Sequence, residues 1–120
     1  MNKKTATLLK HAFAALTARV PQITSVTLER DDEGQYLMCR YEVPFYMEAT
    51  GEVTYGEAAV SERLYRNIGF LEALELITGF FTPARRAYLA AQPAELIEAE
   101  RRAREAGCFL HPDLYLKFAA

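Results

Sequence analysis

The chain has 120 residues, of which 51% are hydrophobic and 25% are charged. This length and composition are typical of one globular domain and exclude general disorder. Fourteen basic and sixteen acidic residues give a net charge of −2. That balance provides no overall attraction to nucleic acid or to anionic lipid, and it disfavours nucleic acid as a partner.

Two apolar segments could suggest targeting or a membrane, but neither has the required pattern. A secretory signal needs an uninterrupted apolar segment, whereas Lys10 and His11 interrupt the one at the amino terminus. A membrane-spanning helix needs about 20 residues that are free of charge. The run 67–81 is shorter and contains Glu72 and Glu75. We therefore predict a soluble, cytoplasmic protein with no membrane partner.

The first part of the chain predicts one helix followed by a β-hairpin. Apolar residues recur at spacings of three and four through residues 4–20, and Pro21 ends this amphipathic helix. Alternating residues over 23–30 and 35–43 predict two strands, and the Asp-Asp-Glu-Gly between them favours a turn that pairs the strands. The strand side predicted to face the helices carries Leu37, Cys39, Tyr41 and Val43.

A second hairpin is predicted beyond Pro44, which cannot donate a ladder hydrogen bond and so marks a bend or a sheet edge. Its strands would be residues 45–49 and 52–55, joined by a Thr-Gly pair. The next segment, 57–66, fits either a helix or an extension of the sheet, and the pattern does not decide between them.

The carboxy-terminal half predicts helices. The run 67–81 is apolar on most of its circumference, which is typical of a core helix with neighbours on several sides. A threonine cap followed by proline predicts a helix over 83–91, a second proline predicts one over 94–106, and Pro112 opens a short turn or helix.

Together these elements predict one α+β domain over residues 1–120. In this fold an antiparallel sheet of two to four strands packs against a bundle of four or five helices. The amino-terminal helix comes first, and the carboxy-terminal half is helical.

The two cysteines provide the only hint of a metal site. Cys108-x-x-His111 could supply two zinc ligands, with Asp113 nearby and Cys39 as a spatial candidate, but a second paired motif is missing. A Cys108 nucleophile with His111 as base would lack an oxyanion-binding loop. We predict no metal and no cofactor, with a buried Cys108 beside a His111 that caps a helix. Reduced thiols are expected, and a single disulfide stays an open alternative.

Glu72 and Glu75 are the best candidates for paired catalytic carboxylates, since they share one edge of the predicted core helix. A solvent-exposed strip paired with arginines explains them better. His11 is expected at a solvent edge and receives no role. Phosphate loops, dinucleotide-binding glycines and hydrolase motifs are absent from the sequence, so we assign no catalytic residue and predict a protein that is not an enzyme.

The outer face of the first hairpin is the predicted binding surface. Tyr36, Met38 and Arg40 lie side by side on it, and Tyr46 and Tyr55 come close if the second hairpin forms. Tyrosine, methionine and arginine are enriched in protein interfaces. The competing explanation is that another helix covers this face. We interpret the protein as a regulator, inhibitor or adaptor of a larger bacterial or phage assembly, acting through a protein partner or self-association.

The alternative is a small-molecule-binding domain or minor enzyme. Its pocket would lie between the sheet and the core helix, with Glu72, Glu75 or His111 as polar groups. Nucleic-acid binding, a third class, would require a strongly salt-dependent affinity despite the net charge.

Overall fold

Residues 2–119 are described by a computed structural model, and they form five α-helices, one short 3-10 helix and three β-strands. In chain order the elements are α1 (Lys3–Arg19), β1 (Ile23–Asp31), β2 (Gly34–Met47), β3 (Glu52–Arg63), α2 (Phe70–Phe80), α3 (Pro83–Ala90), α4 (Pro93–Glu105), the 3-10 helix (Pro112–Leu114) and α5 (Tyr115–Ala119). The predicted α+β class, with the amino-terminal helix first, is confirmed.

The strands form one three-stranded antiparallel sheet with β2 in the centre. The first hairpin is as predicted: Asp31 Oδ1 accepts a hydrogen bond from the Glu33 amide at 2.9 Å. Gly34 follows with a φ of 124°, a conformation that favours glycine. In the register of this hairpin Thr27 lies opposite Met38, and Glu29 lies opposite Tyr36.

The second hairpin also forms, but its strands are longer than predicted. β2 continues through Pro44 to Met47, and β3 runs to Arg63, so most of the ambiguous segment 57–66 is strand. Its half-buried and exposed residues alternate with the period of two that a strand requires. Pro44 is tolerated because β1 pairs with β2 only as far as Tyr41, which leaves β2 an edge strand at the proline.

Contacts divide the described residues into two compact units. The first unit comprises residues 2–42 and 57–80, and the second comprises residues 43–56 and 81–119. Strands β2 and β3 each pass from one unit into the other. That residues 1–120 form one domain stays a prediction.

In the first unit α1 packs against β1. The buried positions of its two helices and of β2 are all apolar, and they include Leu16, Leu37, Cys39, Ala73 and Ile77. The expectation that α2 is covered on most sides is wrong. The helix begins at Phe70, Leu71 is 69% exposed and Leu76 is 51% exposed, because α2 buries only the stripe that contains Ala73 and Ile77.

The second unit packs its helices, together with Val53 of β3, around a core of Ala91, Leu96, Ala99 and Tyr115. Both α3 and α4 pack against α5. The predicted cap of α3 and the predicted end of α4 are confirmed. The Arg85 amide donates to Thr82 Oγ1 at 3.1 Å to cap α3, and Gly107 ends α4 with a φ of 78°.

Within residues 2–119 no helix has the length and apolar character that spanning a membrane requires.

Candidate functional site

The outer sheet face of the first unit carries the side chains that point away from buried Leu37 and Cys39. Alternation along β2 places Tyr36, Met38 and Arg40 on this face, as predicted. Contacts with those residues add side chains from the flanking strands. The outer sheet face, as the term is used below, consists of Thr27, Glu29, Tyr36, Met38, Arg40, Glu57 and Arg63.

Arg40 is held by a polar network across two strands. Its Nη2 lies 2.8 Å from Glu29 Oε2, and its Nη1 donates to Thr27 Oγ1 at 3.2 Å. The Thr27 hydroxyl donates to Glu29 Oε2 at 2.7 Å, while Glu57 lies 4.0 Å from Arg40 Nε. The hydrogen bond from Thr27 and then that from Arg40 hold the pKa of Glu29 below its ordinary value. The network therefore favours one orientation of the guanidinium.

Tyr36 is fixed in a similar way at the other end of the face. The Arg63 guanidinium lies 5.4 Å from the centre of the Tyr36 ring, within cation–π distance. Arg63 also forms a bidentate pair with Asp31, at 2.8 Å and 2.5 Å. The hydrogen bond from Arg63 lowers the pKa of Asp31, and the same bond raises the pKa of Arg63.

Met38 lies between these two polar clusters and is half-buried. The competing explanation, a helix over this face, would bury the flanking strand as well. Ala59 and Ser61, which lie between Glu57 and Arg63 on the same side of β3, are exposed. No part of residues 2–119 therefore covers the β3 side of the face.

Tyr46 and Tyr55, the other predicted binding residues, belong to the second unit. Tyr46 is half-buried, and the Arg104 guanidinium lies 5.4 Å from the centre of its ring. Tyr55 is 48% exposed. Their part in the binding surface stays a prediction.

A second cluster, which was not predicted from the sequence, surrounds Arg104 in the second unit. Arg104 pairs with Glu48 at 2.9 Å and with Glu100 at 3.0 Å, and its guanidinium lies 5.9 Å from the Phe109 ring. Phe109 is 75% exposed. An open hollow of about 320 Å³ is lined by Glu48, Arg104, Gly107, Cys108 and Phe109. One signal could have indicated it: an aromatic residue, Phe109, two positions after the glycine that ends α4.

The expectation of a buried Cys108 is wrong. The side chain is exposed, because the positive-φ Gly107 turns the chain away from the end of α4, and the thiol donates to the Ala103 carbonyl at 3.3 Å. His111 does cap a helix, since its Nδ1 accepts from the Asp113 amide at 3.2 Å. No group of three metal-binding side chains occurs within residues 2–119.

Glu72 and Glu75 are both exposed on α2, whereas His111 lies in the second unit. A small cavity of about 110 Å³ in the first unit lies between α1 and α2 rather than beside the sheet. Its lining residues are Ala15, Leu16, Arg19, Leu74 and Thr78. Drug-sized ligands occupy pockets of roughly 300–1,000 Å³, so this cavity is too small for one.

Comparison with known proteins identified no matching family model, no matching curated protein and no matching solved structure.

Proposed function

We propose that the protein binds another protein through the outer sheet face of the first unit and acts without chemistry of its own. In this proposal it is a cytoplasmic regulator, inhibitor or adaptor of a larger assembly, and its mechanism is steric or scaffolding. The observation that carries the proposal is the arrangement around Met38: an apolar centre with Tyr36 beside it, enclosed by the paired charges of Glu29, Arg40 and Arg63.

This arrangement matches the anatomy of protein interfaces, in which an apolar centre is surrounded by a polar rim. Arginine and tyrosine also contribute a large share of the binding energy at most interfaces. Here both types lie on a sheet, which holds them more rigidly than a loop would.

Preorganisation gives a second reason. Ordering a long side chain at an interface costs about 0.5–1.5 kcal/mol. Arg40 is already held by Glu29 and Thr27, and Arg63 by Asp31, so a partner meets side chains that have lost much of this freedom. The face therefore requires little rearrangement on binding.

The test is an affinity purification of the tagged protein from its host lysate, followed by mass spectrometry. We compare wild type with the double variant Tyr36→Ala/Arg40→Ala. The matched control is Phe109→Ala/Arg101→Ala, which removes an aromatic residue and an arginine from exposed positions in the second unit. Two hot-spot residues would together weaken binding at least about a hundredfold.

The expected result is a stoichiometric partner that the wild type and the control retain and that the face variant loses. Thermal denaturation of all three proteins checks that the face variant is folded. A partner retained equally by all three proteins would show that the outer sheet face is not the binding surface.

A second candidate function, small-molecule binding, is favoured by the hollow beside Phe109 and Arg104 in the second unit. Its volume of about 320 Å³ lies at the lower end of the range for ligand pockets. A ligand that binds only the folded protein raises the unfolding midpoint. Screening a metabolite panel by thermal shift, with Phe109→Ala as the comparison, tests this candidate separately.

A further inference from the structure

Helix α1 is basic over its whole length. It contains Lys3, Lys4, Lys10 and Arg19 and no acidic residue. None of these four side chains has an ion-pair partner among residues 2–119. The chain as a whole is acidic, so α1 is a local concentration of unpaired positive charge.

Two of these lysines occupy an unfavourable place in the helix. Lys3 and Lys4 lie in the first turn, where the helix dipole is positive and where acidic residues are preferred. Like charge at this end costs the helix stability rather than adding to it. A local rule that is broken without compensation inside the fold commonly marks a functional position.

Helix α2 has the opposite character. Glu72 and Glu75 are its only charged residues, and neither has an ion-pair partner within the described part of the chain. Leu71 and Leu76, which flank them on the exposed side of the helix, are 69% and 51% exposed. Helices α1 and α2 are neighbours, since Leu16 and Arg19 of α1 and Leu74 and Thr78 of α2 line the same small cavity.

We infer that the basic helix α1 of one copy of the chain binds the acidic and apolar face of α2 in a second copy. A two-fold axis through the helical layer places α1 of each copy against α2 of the other, so the same pairing forms twice. The lysines of α1 then lie opposite Glu72 and Glu75 of the second copy, and Leu71 and Leu76 become buried in the interface. This dimer uses the helices of the first unit and leaves the outer sheet face free, so it is independent of the proposed function.

The test measures the mass of the full-length protein by analytical ultracentrifugation over a range of concentrations. We expect a reversible dimer whose dissociation constant rises with salt, because opposite charges are screened. Two charge-reversed proteins are then compared: Lys3→Glu/Lys4→Glu/Lys10→Glu and Glu72→Lys/Glu75→Lys. Each one alone juxtaposes like charges twice, and we expect dimerisation to weaken about a hundredfold.

Mixing the two charge-reversed proteins is the decisive step. In the mixed dimer basic α1 faces acidic α2, and acidic α1 faces basic α2, so the heterodimer should form at wild-type affinity. Recovery by mixing would also prove that both variants are folded. The control is Glu42→Lys/Glu52→Lys, which changes the net charge by as much as Glu72→Lys/Glu75→Lys does, at exposed positions on strands, and should dimerise as wild type does.

Three outcomes would overturn the inference: a wild type that stays monomeric at every concentration, a dimer that is indifferent to both charge reversals, or variants that do not recover on mixing. A monomer that binds vesicles containing anionic lipid would assign the basic helix α1 to a membrane surface instead.

Discussion

The two units bury different kinds of side chain. The first unit fills its interior with apolar groups, and Leu37 and Ile77 are completely buried. The second unit includes a buried carboxylate: Glu100 is 6% exposed, and it accepts hydrogen bonds from Arg104 Nε at 3.0 Å and from the Leu110 amide at 3.3 Å. The first unit should therefore be sensitive to changes in volume, and the second to the loss of a polar partner.

The two cysteines give the largest expected contrast. Cys39 is completely buried, and burial raises the pKa of its thiol to about 11, whereas Cys108 is exposed. At pH 8 roughly one Cys39 thiol in a thousand would be ionised, and the thiolate is the reactive form. We expect iodoacetamide to modify Cys108 at least about a hundredfold faster than Cys39, as measured by peptide mass spectrometry.

Labelling in 6 M guanidinium chloride is the reference, because unfolding should make the two rates similar. Equal rates in the native protein would contradict a closed core in the first unit.

The next effect is the loss of volume in that core. Leu37→Ala removes a side chain with no exposed area and should lower the free energy of unfolding by about 2–5 kcal/mol. Urea denaturation measures the change. Ser61→Ala, at an exposed position of β3, should change it by less than about 0.5 kcal/mol. A similarly small effect of Leu37→Ala would mean that the first unit is loosely packed.

The corresponding test in the second unit removes the buried carboxylate. Glu100→Ala leaves the Leu110 amide without its acceptor and takes one partner from Arg104, which should cost about 1–3 kcal/mol. The matched control on α4 is Glu98→Ala. Glu98 is exposed and paired with Arg101, and such surface pairs contribute about 0–1 kcal/mol. If the two variants lost the same stability, burial of Glu100 would have no energetic role.

Elements with local signals were predictable from the sequence. Thr82-Pro83 begins α3 and Gly107 follows the end of α4, as predicted. These signals are readable from the sequence because a cap acts only through neighbouring residues. The first hairpin was predictable for the same reason, since its turn residues and its alternation lie within one short segment.

Features that depend on distant contacts were not predictable. Along β2, Leu37 and Cys39 are buried on one face, whereas Pro44, five residues after Cys39, is buried on the other. Alternation alone does not reveal where the strand changes its buried face. The exposure of Leu71 and Leu76 is a second case, because an apolar pattern on a helix does not indicate whether a neighbouring element covers that face.

The outer sheet face combines both kinds of feature. Its central residues on β2 followed from alternation. The partners of Arg40 and Tyr36 depend on the register with β1 and on the position of β3, which the sequence left undecided. The ion pairs that support the proposed function could therefore not be predicted from the sequence pattern.

The smallest expected effect tests whether this face is ordered in solution. The hydrogen bond from Thr27 is the largest cause of the lowered pKa of Glu29, whose ordinary value is 4.5. Thr27→Val should raise the pKa of Glu29 toward that value, as measured by NMR titration of its carboxylate. Asp31, held by Arg63, serves as the internal control and should keep its lowered pKa.

Because Glu29 titrates lower in the folded than in the unfolded protein, its stabilising contribution is present above pH 4.5 and is lost as the pH falls through the folded value. The variant should therefore lose less stability than wild type between pH 4.5 and that folded value. If Thr27→Val left the pKa of Glu29 unchanged, the network around Arg40 would not persist in solution, and the argument from preorganisation would lose its basis.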